Sequence, residues 1–128
     1  MLTTIKGVIV NYDEFNDFCS ALPATSYVVQ WGGSYVWKVG GKVFAIGGWE
    51  KSGRPAYTFK TSELHFNILS DQPGFRPAPY LASRGMKWIQ HYETLPETDE
   101  ELKYYLNESH RIVYSGLSKK KQKELGLQ

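Results

Sequence analysis

The sequence predicts an α+β fold in two layers. A largely antiparallel sheet of about five to six strands carries three helices, in the order α-β(4)-α-β(1-2)-α. Gly-Gly pairs at Gly32-Gly33, Gly40-Gly41 and Gly47-Gly48 separate short aromatic and β-branched runs. Two-residue hairpin turns need positive φ angles, which glycine supplies at little cost. Segments with apolar residues at helical spacing flank these runs on both sides. No internal repeat or linker interrupts the 128 residues, so one domain is expected over 1–128.

The first helix begins at Asn11, a capping residue with Glu14 three positions on. Phe15, Phe18, Cys19 and Leu22 follow on one helical face, and Pro23 stops the helix. Four strands are expected at Tyr27–Trp31, Tyr35–Val39, Lys42–Trp49 and Ala56–Lys60. A two-residue turn at Gly40-Gly41 sets Val39 opposite Lys42 and Trp37 opposite Phe44. Tyr35, Trp37, Val39, Phe44 and Ile46 then share the face that receives the helices. Val36, Lys38, Val43 and Ala45 form the other face, either exposed or half-covered. The loop Glu50–Pro55 is polar and ends in proline, as in a longer hairpin connection.

Thr61 or Ser62 opens a second helix with Leu64, His65, Ile68 and Leu69 as its apolar stripe. Three prolines and a glycine make 71–80 an ordered loop rather than a helix or central strand. Gly85–Tyr92 returns to strand. The last helix opens at Pro96 with a capping box of Thr98 and Glu101, and acids in its first turn suit the positive end of the helix dipole. Leu102, Tyr105, Leu106, Ser109, Val113 and Leu117 form its buried stripe.

No apolar run approaches the ~20 residues of a membrane span, so no membrane partner is expected. Met1–Val10 has one lysine, few apolar residues and no small-residue cleavage site, unlike a secretory signal. A single cysteine, Cys19, permits no internal disulfide and suits a reducing, cytoplasmic setting. Its place on an apolar stripe makes it a core residue rather than a nucleophile.

The formal net charge of +2 conceals a strong pattern. Residues 31–92 hold eight bases (Lys38, Lys42, Lys51, Arg54, Lys60, Arg76, Arg84, Lys87) against three acids. Residues 93–111 hold six acids against Lys103 and Arg111, and the tail from Ser118 adds four lysines and one glutamate. If this separation persists in space, one surface favours a polyanion. The competing reading is that the lysines solvate strand edges and discourage edge pairing. The tail lysines are expected to be a solvated terminal segment, with a phosphate-binding arm as the alternative.

Catalytic motifs are absent. His65, His91 and His110 lack metal-ligand spacing, so no metal is expected. Gly41-Lys42 has no glycine five positions earlier and no following Ser or Thr, so it is not a phosphate loop. No Gly-x-Ser-x-Gly elbow occurs. The expectation is a protein that is not an enzyme, with no catalytic residues and no cofactor.

Lys38-Val-Gly-Gly-Lys-Val-Phe44, Phe59-Lys60, Pro77–Ile89 and Ser109-His-Arg-Ile-Val113 together resemble the MmcQ/YjbR family of small bacterial proteins. The resemblance runs from Phe18–Pro23 to the Leu117-Ser-Lys-Lys-Lys tail. It implies a two-layer fold similar to the frataxin-like and secretion-chaperone-like arrangements. Family members are commonly described as DNA-binding because their hairpins look like a double wing. Two positions depart from the pattern: His110 stands where many members have Tyr, and Tyr80 where many have His.

Carried onto this chain, the wing tips are Gly40-Gly41-Lys42 and Lys51–Arg54. Lys38 and Lys60 flank them, and Arg76, Arg84 and Lys87 extend the basic surface toward DNA phosphates. Trp31, Trp49 or Tyr57, if exposed, would stack on unpaired bases. The alternatives are a protein-interaction or chaperone-like adaptor using an exposed aromatic patch, and a small-ligand cleft lined by Arg76, Tyr80, Arg84 and Trp88. Oligomeric state is not legible from these residues.

Overall fold

A computed structural model describes residues 11–79, 81–93 and 96–126, with the side chains of 83 and 96–99 outside the description. Its elements are α1 (Tyr12–Ser20), β1 (Thr25–Gln30), β2 (Ser34–Val39), β3 (Lys42–Gly47), β4 (Tyr57–Lys60), α2 (Glu63–Ser70), β5 (Phe75–Pro77), β6 (Trp88–His91), α3 (Pro96–Ser115) and α4 (Lys119–Glu124). A single 3-10 turn at Ala82–Arg84 lies between β5 and β6. The six strands form one sheet in the order β1-β2-β3-β4-β6-β5, every pair antiparallel. The α+β architecture is as predicted. The Pro-rich segment supplies the edge strand β5, where Pro77 costs the ladder no central donor.

Side chains on the helix side include Trp37, Ala45, Phe59 and Ile89 in one row, and Tyr35, Tyr57, His91 and Phe75 in the next. With Phe15, Cys19, Leu69, Leu102 and Leu106 they make the core, Tyr35 packing against it half-buried. Helix α1 is seated by polar ties as well as packing. Its cap Asn11 accepts from Glu14 N–H at 2.9 Å, Tyr12 Oη accepts from Ala56 N–H at 3.1 Å, and Trp37 Nε1 donates to Asn16 at 2.9 Å. Gly47 is where the ring of Phe15 crosses β3, since a Cβ there would lie 2.6 Å from that ring.

The predicted register holds for two pairs and then slips. Val39 faces Lys42 and Lys38 faces Val43, but Trp37 faces Ala45. Phe44 is therefore the extra residue of a β-bulge. A one-residue slip exchanges faces, so Ala45 joins the core side and Ile46 moves to the other side with Val36. That second face is neither exposed nor half-covered at its centre: Val36, Ile46, Thr58 and Gln90 are all buried.

Ser109 on α3 closes the gap the bulge leaves. Its hydroxyl donates to the Phe44 carbonyl at 2.6 Å and accepts the Lys60 N–H at 2.8 Å. One more step of the β3–β4 ladder would pair these two residues directly. The hydroxyl stands between them and serves both. The neighbouring His110 Nε2 donates to the Pro23 carbonyl at 2.8 Å, and its ring meets Phe44 edge-on at 5.2 Å.

Three smaller differences have local causes. Helix α2 buries Leu69 and packs Phe66, leaving Leu64 and Ile68 exposed, because the larger ring at i, i+3 from Leu69 selects the inward face. Helix α3 starts at Pro96, so Thr98 lies inside its first turn, and the capping-box side chain is outside the described residues. The lysine tail is a docked helix, α4, capped by Ser118 whose Oγ accepts Lys121 N–H at 3.1 Å.

Ser109→Ala strands the Phe44 carbonyl and the Lys60 amide, and is expected to cost about 2–4 kcal/mol, read as a lower urea midpoint at unchanged m-value. A loss below ~0.5 kcal/mol would show that the ladder closes without the hydroxyl.

His91 is fully buried between Phe75 and Tyr57, and desolvation pulls its imidazole from 6.5 down to about 4. The unfolded chain therefore takes the proton first as pH falls. Stability from this group is complete above pH 6.5 and drains away between there and about pH 4. The expected loss is on the order of 3 kcal/mol, measured by urea unfolding across that window, and His91→Phe should flatten it.

Candidate functional site

The antiparallel order decides which loops share an end of the sheet. The β2–β3 turn, the start of β1, the end of β4 and the β5–β6 connection lie at one end. The β1–β2 turn, the β3–β4 loop, the start of β5 and the end of β6 lie at the other. The two expected wings, at Gly40–Lys42 and Lys51–Arg54, thus sit at opposite ends of β3. A strand of six residues sets them roughly 20 Å apart.

Five of the eight predicted bases gather at the first end. Lys42 is exposed beside the turn, while Lys38 and Lys60 are half-buried next to it on their strands. Arg84 is exposed in the β5–β6 connection, and Lys87 lays its ammonium over the Phe66 ring at 4.9 Å. Helix α4 adds Lys119, Lys120, Lys121 and Lys123, all exposed. It is held there by apolar contact at the hairpin tip, with Leu117 and Leu125 over Gly40. Asp17, Glu63, Glu108 and Glu124 are the acids of this end by their place in α1, α2, α3 and α4, and Glu108 is paired with Arg111 at 2.8 Å.

The second end has the opposite balance. Glu50, Asp71, Glu93, Glu100 and Glu101 belong to its loops and to the first turns of α3. Gln72 donates to Glu101 at 2.8 Å, fastening α3 to the loop after α2. Lys51 and Arg54 are exposed in the β3–β4 loop. Arg76 is turned inward over the second sheet face, where its Nε and Nη2 donate to Gln90 Oε1 at 2.9 and 2.6 Å. Its guanidinium also lies 3.5 Å from Glu50 and 4.5 Å over the Tyr92 ring. Glu50 is held below the usual carboxylate range by hydrogen bonds from Ser52, with Arg76 adding to the effect.

The stacking candidates divide. Tyr57 is core, whereas Trp31 is about half exposed and pairs with Trp49 at 5.6 Å. These two rings, with Glu50, Lys51, Arg76 and Pro79, line an open cleft of about 670 Å3. A cleft thus exists, but neither Arg84 nor Trp88 borders it, and Tyr80 lies outside the described residues. The Trp pair gave one sequence signal, its position beside the Gly-Gly turns, and nothing in the sequence joined it to Arg76.

Other chemistry is sparse. Among the described residues no three His, Cys, Asp or Glu side chains converge to hold a metal. Cys19 is buried, and desolvation pushes its thiol far up. Among the described residues no helix is long and apolar enough to cross a membrane.

A family model described as YjbR matches residues 20–112, which include the Gly40-Gly41 turn, the bulge and Ser109-His110. The chain belongs to the YjbR family. The crystal structure of Deinococcus radiodurans protein DR2400, whose family-model domain is DUF419, has the same fold with a TM-score of 0.75. The two chains are 22% identical over 91% of this one and 88% of that one. No curated protein is significantly similar to the chain. Within the YjbR match, the Ser-His motif of α3 is occupied in holding the sheet. His110 acts there as a packed ring with one polar end, a role a tyrosine can also fill.

Gly40 has φ +59° and its Cβ would lie 2.6 Å from Leu117, while Gly41 has φ +83° and open space around it. Gly40→Ala is expected to cost about 1–3 kcal/mol and to loosen α4, Gly41→Ala about 1 kcal/mol of backbone strain alone. Thermal midpoints of both, with amide exchange in α4, check this; equal losses would mean that the α4 contact contributes nothing.

Proposed function

We propose that this YjbR protein is a non-enzymatic nucleic-acid-binding protein that lays the basic end of its sheet against the phosphates of duplex DNA. The observation that carries the reading is the separation of charge along the strand axis. Nine bases stand at the end formed by the β2–β3 turn, the β5–β6 connection and α4, and most acids of the loops stand at the other. A dipolar arrangement of this kind turns one end toward a polyanion and the other away from it. The mode has one wing, not two: the Gly40–Lys42 hairpin and α4 act together, and Lys51–Arg54 faces away.

Ammonium groups on a hairpin tip and a short helix are point charges, suited to phosphates rather than base edges. The interaction is therefore weakly selective for sequence and strongly sensitive to salt.

A second reading rests on β1. Among the described residues β1 is an edge strand; it exposes Tyr27, Val28 and Val29 and itself holds neither proline nor lysine. Such an edge suits an adaptor that binds another protein strand. A concentration-dependent dimer or a co-purifying partner, without salt-sensitive DNA binding, is its signature.

For the DNA reading, log affinity should fall linearly with log salt, with a slope of about −4 to −7 for some five to eight phosphate contacts. The double variant Lys42→Ala/Lys120→Ala is expected to reduce that slope by about 2, whereas Lys51→Ala/Arg54→Ala leaves it unchanged. Absence of any mobility shift at ~50 mM salt and micromolar protein would rule the reading out.

A further inference from the structure

The cleft at the acidic end is a built feature. Behind its lining lies Gln90, an amide with no exposed surface, whose oxygen accepts both bonds from Arg76 and whose nitrogen faces Trp49 O and Thr58 Oγ1 at 3.4 Å. Burying a primary amide is costly unless its ends are satisfied, and here they are spent on orienting the two walls. The walls themselves are strained. Trp31 and Trp49 have φ of +54° and +64°, a region that bulky residues rarely occupy and that recurs at binding sites. The result is a pair of indoles brought together beside a positioned guanidinium.

We propose that this cleft binds a small planar anion, an aromatic ring carrying a phosphate or carboxylate, of about nucleotide size. The volume of about 670 Å3 falls in the small-ligand range. The indoles touch each other at 5.6 Å and 32°, so no ring enters between them; the ligand ring stacks on the exposed side of Trp31. Arg76, 39% exposed, and Lys51 supply two positive charges on the opposite wall. Glu50 is the one carboxylate there, and Ser52 N–H and hydroxyl already bind it. The net positive wall selects an anion, and the ligand's acidic group displaces Glu50 from its 3.5 Å contact with Arg76. Apart from Pro79, the lining of this site lies at or toward the opposite end from the basic surface, and the proposal does not depend on DNA binding.

The experiment uses AMP and 4-hydroxybenzoate as probes of the full chain, followed by the indole N–H resonances of its four tryptophans. The expected result is saturable shifts of Trp31 and Trp49 with at least one probe, with Trp37 and Trp88 unmoved. Adenosine, which lacks the anion, should bind at least about tenfold more weakly than AMP. Trp31→Ala and Lys51→Ala should each weaken probe binding severalfold, in proteins whose remaining resonances report an intact fold, while DNA affinity is unchanged. No saturable shift with either probe up to about 5 mM overturns the proposal. So does equal binding of adenosine and AMP, or shifts of Trp37 and Trp88 as large as those of Trp31 and Trp49.

Discussion

A single hydroxyl holds the two layers in register. Where Phe44 bulges out of β3, the sheet loses a ladder bond, and Ser109 restores both halves of it from a helix. Buried backbone groups must find partners, so the position of α3 along the sheet follows from this point rather than from apolar packing alone. Apolar contacts slide easily; a hydroxyl shared between a carbonyl and an amide does not. Once α3 is placed there, Leu106 and Val113 fall over the core, and Leu117 reaches the hairpin tip. His110 then meets Phe44 and the Pro23 carbonyl, which fixes the end of the α1 connection.

The same placement produces the distribution of charge. Helix α3 begins among acids at one end of the sheet and delivers α4, with its lysines, to the other. Gly40 makes the landing possible, since a side chain there would occupy the space of Leu117. The glycine that allows the turn is thus also the glycine that admits the helix. The acidic start of α3 complements its own dipole and concentrates negative charge away from the basic end. Fold and field share one cause.

Much of this was legible in the residues. The Gly40-Gly41 turn, the Asn11 cap and the stripe through Leu102, Leu106, Ser109 and Val113 identify their elements correctly, because each depends on local geometry, whereas Gly47 lies inside β3. The stripe places Ser109 in the buried layer but names no partner for it, since nothing in a stripe says which carbonyl lies opposite. The bulge is not legible locally for the same reason: Phe44 and Ala45 fit either face, and the slip is decided by what α3 and the next strand require. The cleft was harder still. Trp31, Trp49, Arg76 and Gln90 come from three separate stretches, and only the pairing of β6 with β5 and β4 brings them together.

The sequence by itself determined the class of fold, the number and order of most elements, and a charge pattern segregated along the chain. Those depend on periodicity, turn chemistry and composition, which act over a few residues. Only the tertiary structure decided that the two basic hairpin loops point apart and that the tail is a docked helix. It alone decided that an inward-turned Arg76 faces a pair of strained tryptophans. These outcomes depend on strand order and on buried polar groups finding partners far away in the chain, and neither is written in any local run of residues.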